Sequence, residues 1–302
     1  MANKSTPHSR EIPMVKVTEK CKDGSNSPVF ICDFSPPRGS DPALLNGAGA
    51  VDADFLCMAY SPGKSVRVDP VIAAHAVRQQ EERDVVFTIA TRDMNKLAIQ
   101  SHLLGASLLG LDNVIVVGGD SFTAKDLTMV KDVSDFTSTG LIAAIKSMNQ
   151  GTDYRGLQLR SPTDFCVGAT IDLGRNINKE ARLTHRKALA GADFFITQPL
   201  YRIDQVEQFQ ESYESVSGEE FPFPLFLGLQ VPDANGLLFG EVPDIIRKDL
   251  DRGREGTDIA IELLHKFVGK GITNIYLVPP ILRGGLRNYE AARKVLEASR
   301  RI

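Results

Sequence analysis

The sequence predicts an α/β chain folded as one (β/α)8 barrel, and three observations predict it. Eight short apolar runs alternate with segments of helical spacing from residue 28 onward. Each run breaks into glycine, proline or a polar residue at its carboxyl side. No Pro/Ser-rich linker divides the chain after residue 28, and 302 residues suit a barrel built as a single unit. A doubly wound open sheet is the other arrangement of this alternation. No GxGxxG follows the first run and no Walker A loop occurs, which weakens that alternative.

Residues 1–27 are polar apart from a short patch at 12–17, and read as a mobile or loosely docked N-terminal arm. The barrel, 28–302, opens with a strand at 29–34 that runs into Asp33-Phe34-Ser35-Pro36-Pro37, followed by a helix-like 41–45. A second strand at 54–59 precedes a helix at 70–80, with Pro70 acceptable in its first turn. The third strand spans 85–90. Asp93 is placed to cap a helix from 94 to about 109, which Gly110 ends. Strand four, 114–117, is continuously β-branched, as expected of a strand buried on both faces, and breaks into Gly118-Gly119-Asp120. A polar loop leads to a helix at 138–148. Strand five at 165–171 and a helix at 179–190, closed by Gly191, come next. Strand six at 194–197 feeds a helix at 203–215. Strand seven at 225–229 is followed by a long insertion and a helix at 257–268, and strand eight at 275–278 by the closing helix at 289–299.

Composition narrows the function class. Hydrophobic content of 42% and charged content of 24% are those of a soluble globular protein, and a net charge of −3 gives no reason to expect a nucleic-acid or anionic-membrane surface. No apolar run is long enough to span a bilayer, and no signal peptide opens the chain. The four cysteines lie far apart without a CxxC, as buried free thiols in a reducing compartment would, so a cytoplasmic protein is expected. The histidines fall mostly on helices or the arm, which makes a zinc or iron site improbable. No GxSxG elbow is present, and Lys187 lies inside a helix rather than at a strand end where a Schiff-base lysine would stand.

Barrel chemistry sits at the carboxyl ends of the strands. Those positions read Asp33, Ala59-Tyr60, Ala90-Thr91, Asp120, Thr170-Ile171-Asp172, Gln198, Leu229-Gln230 and Pro279-Pro280. At least two carboxylates from different strands, an amide and a tyrosine thus converge on one face. Asp33, between Cys32 and Phe34 and before two prolines, is either a desolvated acid available near neutral pH or the cap of the following turn. Gln198 suits a flat heterocycle or a loop hydrogen bond. Asp120 is a ligand contact or a solvated loop residue. Lys187 faces solvent or a bound phosphate, and the Arg283-Gly284-Gly285 turn holds a phosphate or is a plain turn.

These strand ends resemble the methylenetetrahydrofolate reductase family over about residues 28 to 300. Cys32-Asp33-Phe34-Ser35-Pro36-Pro37 is similar to the family's Phe-Glu-Phe-Phe-Pro-Pro element, and Gly118-Gly119-Asp120 to its Arg-Gly-Asp ending of strand four. Arg92-Asp93-Met94-Asn95 resembles its Arg-Asp-x-Asn. Arg186-Lys187-Ala188-Leu189-Ala190-Gly191-Ala192 through Thr197-Gln198-Pro199 resembles its Arg-Lys-x-x-Ala-Gly-Ala to Thr-Gln element. The resemblance implies FAD as cofactor, NAD(P)H as electron donor and a folate substrate, with hydride passing through the flavin between 5,10-methylene- and 5-methyltetrahydrofolate, a step of methionine biosynthesis. It implies Asp33 as general acid, Asp120 as stabiliser of the cation that accepts hydride, and Gln198 as a folate or nicotinamide contact. Flavin contacts would come from Tyr60, Ala90, Gly118, Gly119, Asp120, Ser138, Thr170, Glu180 and Lys187. The folate would meet Asp33, Gln198, Tyr201 and Gln230.

The pattern departs from the family in four places. Its acid is Glu where Asp33 stands; its Arg is Gly118; its strand-three ending His-Leu-Thr-Cys is Thr88-Ile89-Ala90-Thr91; and its threonine after strand two is Ala59. Both carboxylates and Gln198 remain. A reverse reaction, oxidising a methylated folate, is one variant. A folate-binding or partner subunit of a one-carbon or demethylation complex, with weakened flavin activity, is the alternative from another class. A phosphate-binding lyase barrel is a third. A homo-oligomer, or a partner redox or methyltransferase protein, fits the first two; the apolar segments 237–239 and 222–224 are either subunit contacts or buried within the monomer.

Overall fold

In the computed structural model, which describes residues 14–23 and 27–301, eight parallel strands close in sequence order into a barrel. The strands are β1 (Val29–Phe34), β2 (Phe55–Met58), β3 (Val85–Ala90), β4 (Asn113–Val117), β5 (Cys166–Ile171), β6 (Phe194–Pro199), β7 (Leu225–Gln230) and β8 (Asn274–Val278). The helices are α1 (Val17–Lys20), α2 (Pro70–Glu81), α3 (Lys96–Leu108), α4 (Ser138–Asn149), α5 (Ile177–Leu189), α6 (Asp204–Ser217), α7 (Asp244–Asp251), α8 (Gly256–Gly269) and α9 (Tyr289–Ser299). The fold is the expected (β/α)8 barrel.

The strands read as apolar runs because both faces are covered. One set of side chains, including Ile31, Phe55, Val86, Ile115, Phe194 and Phe226, fills the barrel lumen. The alternate set packs outward under the helices as a second, larger core.

Four elements differ from the sequence reading. The arm docks: Val17 is fully buried against the lumen core, its N–H donates to Asn113 Oδ1 at 3.0 Å, and Lys16 and Lys20 pair with Asp164 and Asp54. Thus α1 closes the floor of the barrel at the amino ends of the strands, where the lumen would otherwise open to water. The 41–45 helix is a 3-10 segment, Pro42–Ala48, capped by Asp41. Asp93 does not cap α3; Asn95 does, accepting from the Ala98 N–H at 2.9 Å, because Arg92 holds both oxygens of Asp93. The insertion after β7 contains the additional helix α7. Cys21, Cys32, Cys57 and Cys166 are all free thiols. Among the described residues, no helix is long and apolar enough to cross a membrane.

One irregularity shapes the mouth. Between β6 and β7 the register jumps from Ile196↔Phe226 to Pro199↔Gly228, so three residues on β6 answer two on β7. Thr197 Oγ1 takes the Gly228 N–H at 2.8 Å in place of a ladder carbonyl. A Cβ on residue 228 would lie 2.6 Å from the Gln198 carbonyl, so only glycine admits this bulge. Gln198, thrown out of the ladder, is the exposed residue of an otherwise buried strand.

Candidate functional site

A cleft of about 950 Å3 opens at the carboxyl ends of β2 to β6. Of the residues predicted from sequence, Tyr60, Gly118, Gly119, Asp120, Ser138, Thr170, Glu180, Lys187 and Gln198 line it together.

Its central wall is the end of β4. Gly119 has φ +81° and lies directly over Ala90 and Arg92. Arg92 pins the loop that follows: Nη1 donates to the Asp120 carbonyl at 2.6 Å, Nε and Nη2 donate to Asp93 at 2.6 and 2.7 Å, and the guanidinium stands 4.3 Å over the Phe122 ring. Burial pushes the Asp93 carboxyl up, but the bonds and charge of Arg92 and the Tyr60 hydroxyl more than reverse it, so Asp93 stays below the usual carboxylate range. Tyr60 is pushed up by burial and by Asp93 and remains a phenol. The Asp120 carboxylate is exposed to the cleft and accepts no hydrogen bond among the described residues. The backbone is fixed while the charge stays free.

The opposite wall comes from α4 and α5. Thr137 caps α4 by accepting the Gly140 N–H, and Ser138 and Thr139, which line the cleft, have backbone N–H groups without a partner among the described residues. On α5, Lys187 is 4% exposed and donates to the Thr170 carbonyl at 2.5 Å. Burial lowers its pKa against the opposing pull of Glu180. The choice between solvent and cleft is thereby decided: Lys187 reaches inward. Glu180 accepts from the Asp172 N–H at 3.2 Å and braces the β5–α5 turn, while Asp172 pairs with Arg175 at 2.8 Å. Arg186 adds an exposed cation on the same wall.

Four predicted residues do not join this lining. Ala90 is fully buried beneath Gly119 and offers no polar atom. Gln230 has both ends of its amide engaged by the loop after β7, donating to Leu237 O at 2.7 Å and accepting from Phe239 N at 2.9 Å. It is a loop anchor. The Tyr201 hydroxyl is buried without a partner among the described residues, and burial pushes its pKa up to about 12. Asp33 is buried as its neighbours suggested, but it is paired: the Tyr276 hydroxyl donates to Oδ1 at 3.1 Å and Arg287 Nε to Oδ2 at 3.2 Å. It therefore does not cap the turn after β1. The Arg283–Gly285 turn is an exposed 3-10 segment, and the cation that matters in this loop is Arg287.

Arg92, Thr139 and Arg186 line the cleft, and Tyr276 and Arg287 hold Asp33, without having been assigned a role from the sequence. Tyr276 carried a signal, as a polar-tipped aromatic at a lumen-facing position of an apolar strand. Arg287 carried none, because its partner is 254 positions away.

The geometry can be set beside known proteins. A Clostridium thermocellum protein described as binding two copies of 5-methyl-5,6,7,8-tetrahydrofolic acid superposes with a TM-score of 0.65 at 15% identity, covering 91% of this chain and 96% of that one. At that identity the likeness is one of fold. No curated protein matches the sequence. The model of the methylenetetrahydrofolate reductase family matches residues 17–280, which takes in the floor helix and all eight strands. This chain belongs to the methylenetetrahydrofolate reductase family.

Proposed function

We propose that the chain is a flavin-dependent oxidoreductase that interconverts 5,10-methylenetetrahydrofolate and 5-methyltetrahydrofolate, with FAD as cofactor and NAD(P)H as electron donor in the reductive direction. One observation carries this: Asp120, Gln198 and Lys187, at positions the family motifs occupy, face a single cleft together with the first turn of α4. The Clostridium protein's bound methyltetrahydrofolate supports a folate ligand.

The donor set fits the cofactor. The cleft volume lies at the upper end of small-molecule sites, as a dinucleotide requires. Gly118 and Gly119 leave bare backbone against which a flat ring can lie. The free N–H groups of Ser138 and Thr139, with Lys187 and Arg186, suit a diphosphate at a helix N-terminus. Tyr60 and Thr170 would complete the cradle. When bound, the flavin supplies hydride transfer.

The chain's own residues supply the rest. Asp120, its backbone held by Arg92, presents a negative charge that stabilises the cationic folate form exchanging hydride. Gln198, lifted by the β6 bulge, offers one amide acceptor and two donors to the pterin edge. Asp33, hydrogen-bonded to Tyr276, handles the proton that accompanies opening and closing of the folate's five-membered ring. Four free thiols support a reducing, cytoplasmic setting.

The visible spectrum of the purified chain with FAD tests the proposal. A bound-flavin spectrum that bleaches on addition of 5-methyltetrahydrofolate is expected. A chain that neither retains FAD nor perturbs its spectrum refutes it and favours the folate-binding subunit.

A further inference from the structure

The outer surface of α3 carries no charge. Its exposed positions are Leu97, Ala98, Ser101, Leu104 and Leu108, with the three leucines 60%, 40% and 87% exposed. Its two basic residues lean sideways: Lys96 stands 5.3 Å over the Phe136 ring, and His102 Nε2 lies 3.5 Å from Asp69. The other side of the barrel looks different. There, exposed positions are charged, as with Glu207, Glu211 and Glu214 on α6, Asp258, Glu262 and Lys266 on α8, and Glu290, Lys294 and Glu297 on α9. A surface helix ordinarily turns its polar residues outward. On α3 the exposed face holds three leucines and an alanine, with Ser101 its one polar residue.

The spacing gives the occupant. Positions 97, 101, 104 and 108 follow a 4-3-4 rhythm, which is the seam of a helix that packs on another helix. The seam is also self-complementary. In an antiparallel pair across a two-fold axis midway between residues 102 and 103, Leu97 of one copy meets Leu108 of the other, and Ser101 meets Leu104. Leucine thus meets leucine at the two ends of the seam, and the small Ser101 receives Leu104 at its centre. Gly105 leaves an adjoining hollow, since a Cβ there would touch nothing within 4 Å.

Flanking apolar residues widen the face. Tyr154 and Leu157 stand beside α3, where the Tyr154 N–H donates to Gln100 Oε1 at 2.8 Å, and Ile72 stands on the first turn of α2, whose capping Asp69 faces His102. With Leu97, Leu104 and Leu108, these side chains expose roughly 600 Å2 per copy, so a pair that covered all six would bury about 1,200 Å2, the lower end of the range for specific interfaces.

We propose that this α3 face is an isologous, antiparallel interface between two copies of the chain. It lies outside the barrel, so the cleft at the mouth of each copy stays open. Light scattering on the purified chain should give twice the chain mass. The exposed substitutions Leu104→Glu and Leu108→Glu should return it to the mass of one chain, by raising the dissociation constant at least about a hundredfold, as expected for charges forced into a desolvated seam. Leu189→Glu, at an exposed leucine of α5, should leave the dimer intact. Circular dichroism spectra should match across all variants, and the melting temperature of the parent, unlike that of the two glutamate variants, should rise with chain concentration. Register is read by mixing Ser101→Cys chains with Leu104→Cys chains under mild oxidation, where the mixed disulfide should exceed either homodisulfide. A monomeric wild-type chain, a dimer indifferent to both glutamates, or dominant homodisulfides would each overturn the proposal.

Discussion

The pair between Asp33 and Arg287 offers the sharpest test of the site's physics. Both side chains are nearly dry, at 9% and 6% exposure, and they meet at 3.2 Å. Arg287→Leu removes the cation and leaves the carboxylate with the Tyr276 hydroxyl as its remaining side-chain partner. Removing one member of a buried pair costs about 3–5 kcal/mol, and the surviving Tyr276 bond argues for the lower end, about 3 kcal/mol. That is roughly a hundredfold rise in the unfolded fraction. Urea titration followed by circular dichroism measures it as a lower midpoint with an unchanged slope. The companion variant Asp33→Asn/Arg287→Leu keeps an acceptor for Tyr276 but removes the unpaired charge, so it should recover to within about 1 kcal/mol of the parent. A loss below about 1 kcal/mol for Arg287→Leu would mean that the pair behaves as a solvated surface bridge. A double variant no more stable than the single one would equally refute the charge argument.

Three further outcomes are expected. Asp33→Asn should stop folate turnover while leaving flavin reduction by nicotinamide within about twofold, measured by stopped-flow on the two half-reactions; loss of both would remove Asp33 from proton handling. Gly228→Ala places a Cβ 2.6 Å from the Gln198 carbonyl and should cost about 1–3 kcal/mol of stability while raising the folate KM, because the bulge that presents Gln198 must shift; an unchanged KM would show that Gln198 is not positioned by this contact. The lowered pKa of Lys187 means that the folded chain bears the cost of a buried charge at neutral pH, a cost relieved as pH rises from that lowered value toward the ordinary 10.5. FAD binding, which uses the charge, should therefore weaken over that same alkaline window, and Lys187→Arg should flatten the dependence in a fluorescence titration. An identical pH profile in the variant would exclude Lys187 as the group concerned.

Much of the fold can be read locally. A strand buried on both faces must be apolar along its length, so Val114–Val117 or Val85–Ala90 declare themselves without reference to the rest of the chain. The cap of α3 is less legible. Asp93 and Asn95 are both good capping residues, and the choice between them is made by Arg92, whose guanidinium holds Asp93 in a bidentate pair. The docking of α1 was hidden for a different reason. Its sequence is polar, and its one deeply buried anchor, Val17, acquires meaning only when the open floor of a barrel lies above it. Gln198 and Gln230 are alike in sequence, both glutamines at strand ends. One is lifted into the cleft by a bulge, and the other is saturated by the loop above it.

The sequence by itself determined the alternation of strands and helices and the residues that end each strand, because these follow from hydrophobic period and local backbone chemistry, and it favoured a barrel over an open sheet. The tertiary structure alone decided which strand ends share a cavity. It gathered Tyr60, Asp120, Lys187 and Gln198 on one side of the mouth and set Asp33 apart with Arg287, its partner 254 residues away. Closure of the sheet joins β8 to β1 and brings Tyr276 to Asp33, the loop after β8 delivers Arg287, and the bulge between β6 and β7 lifts Gln198, none of which follows from a local pattern.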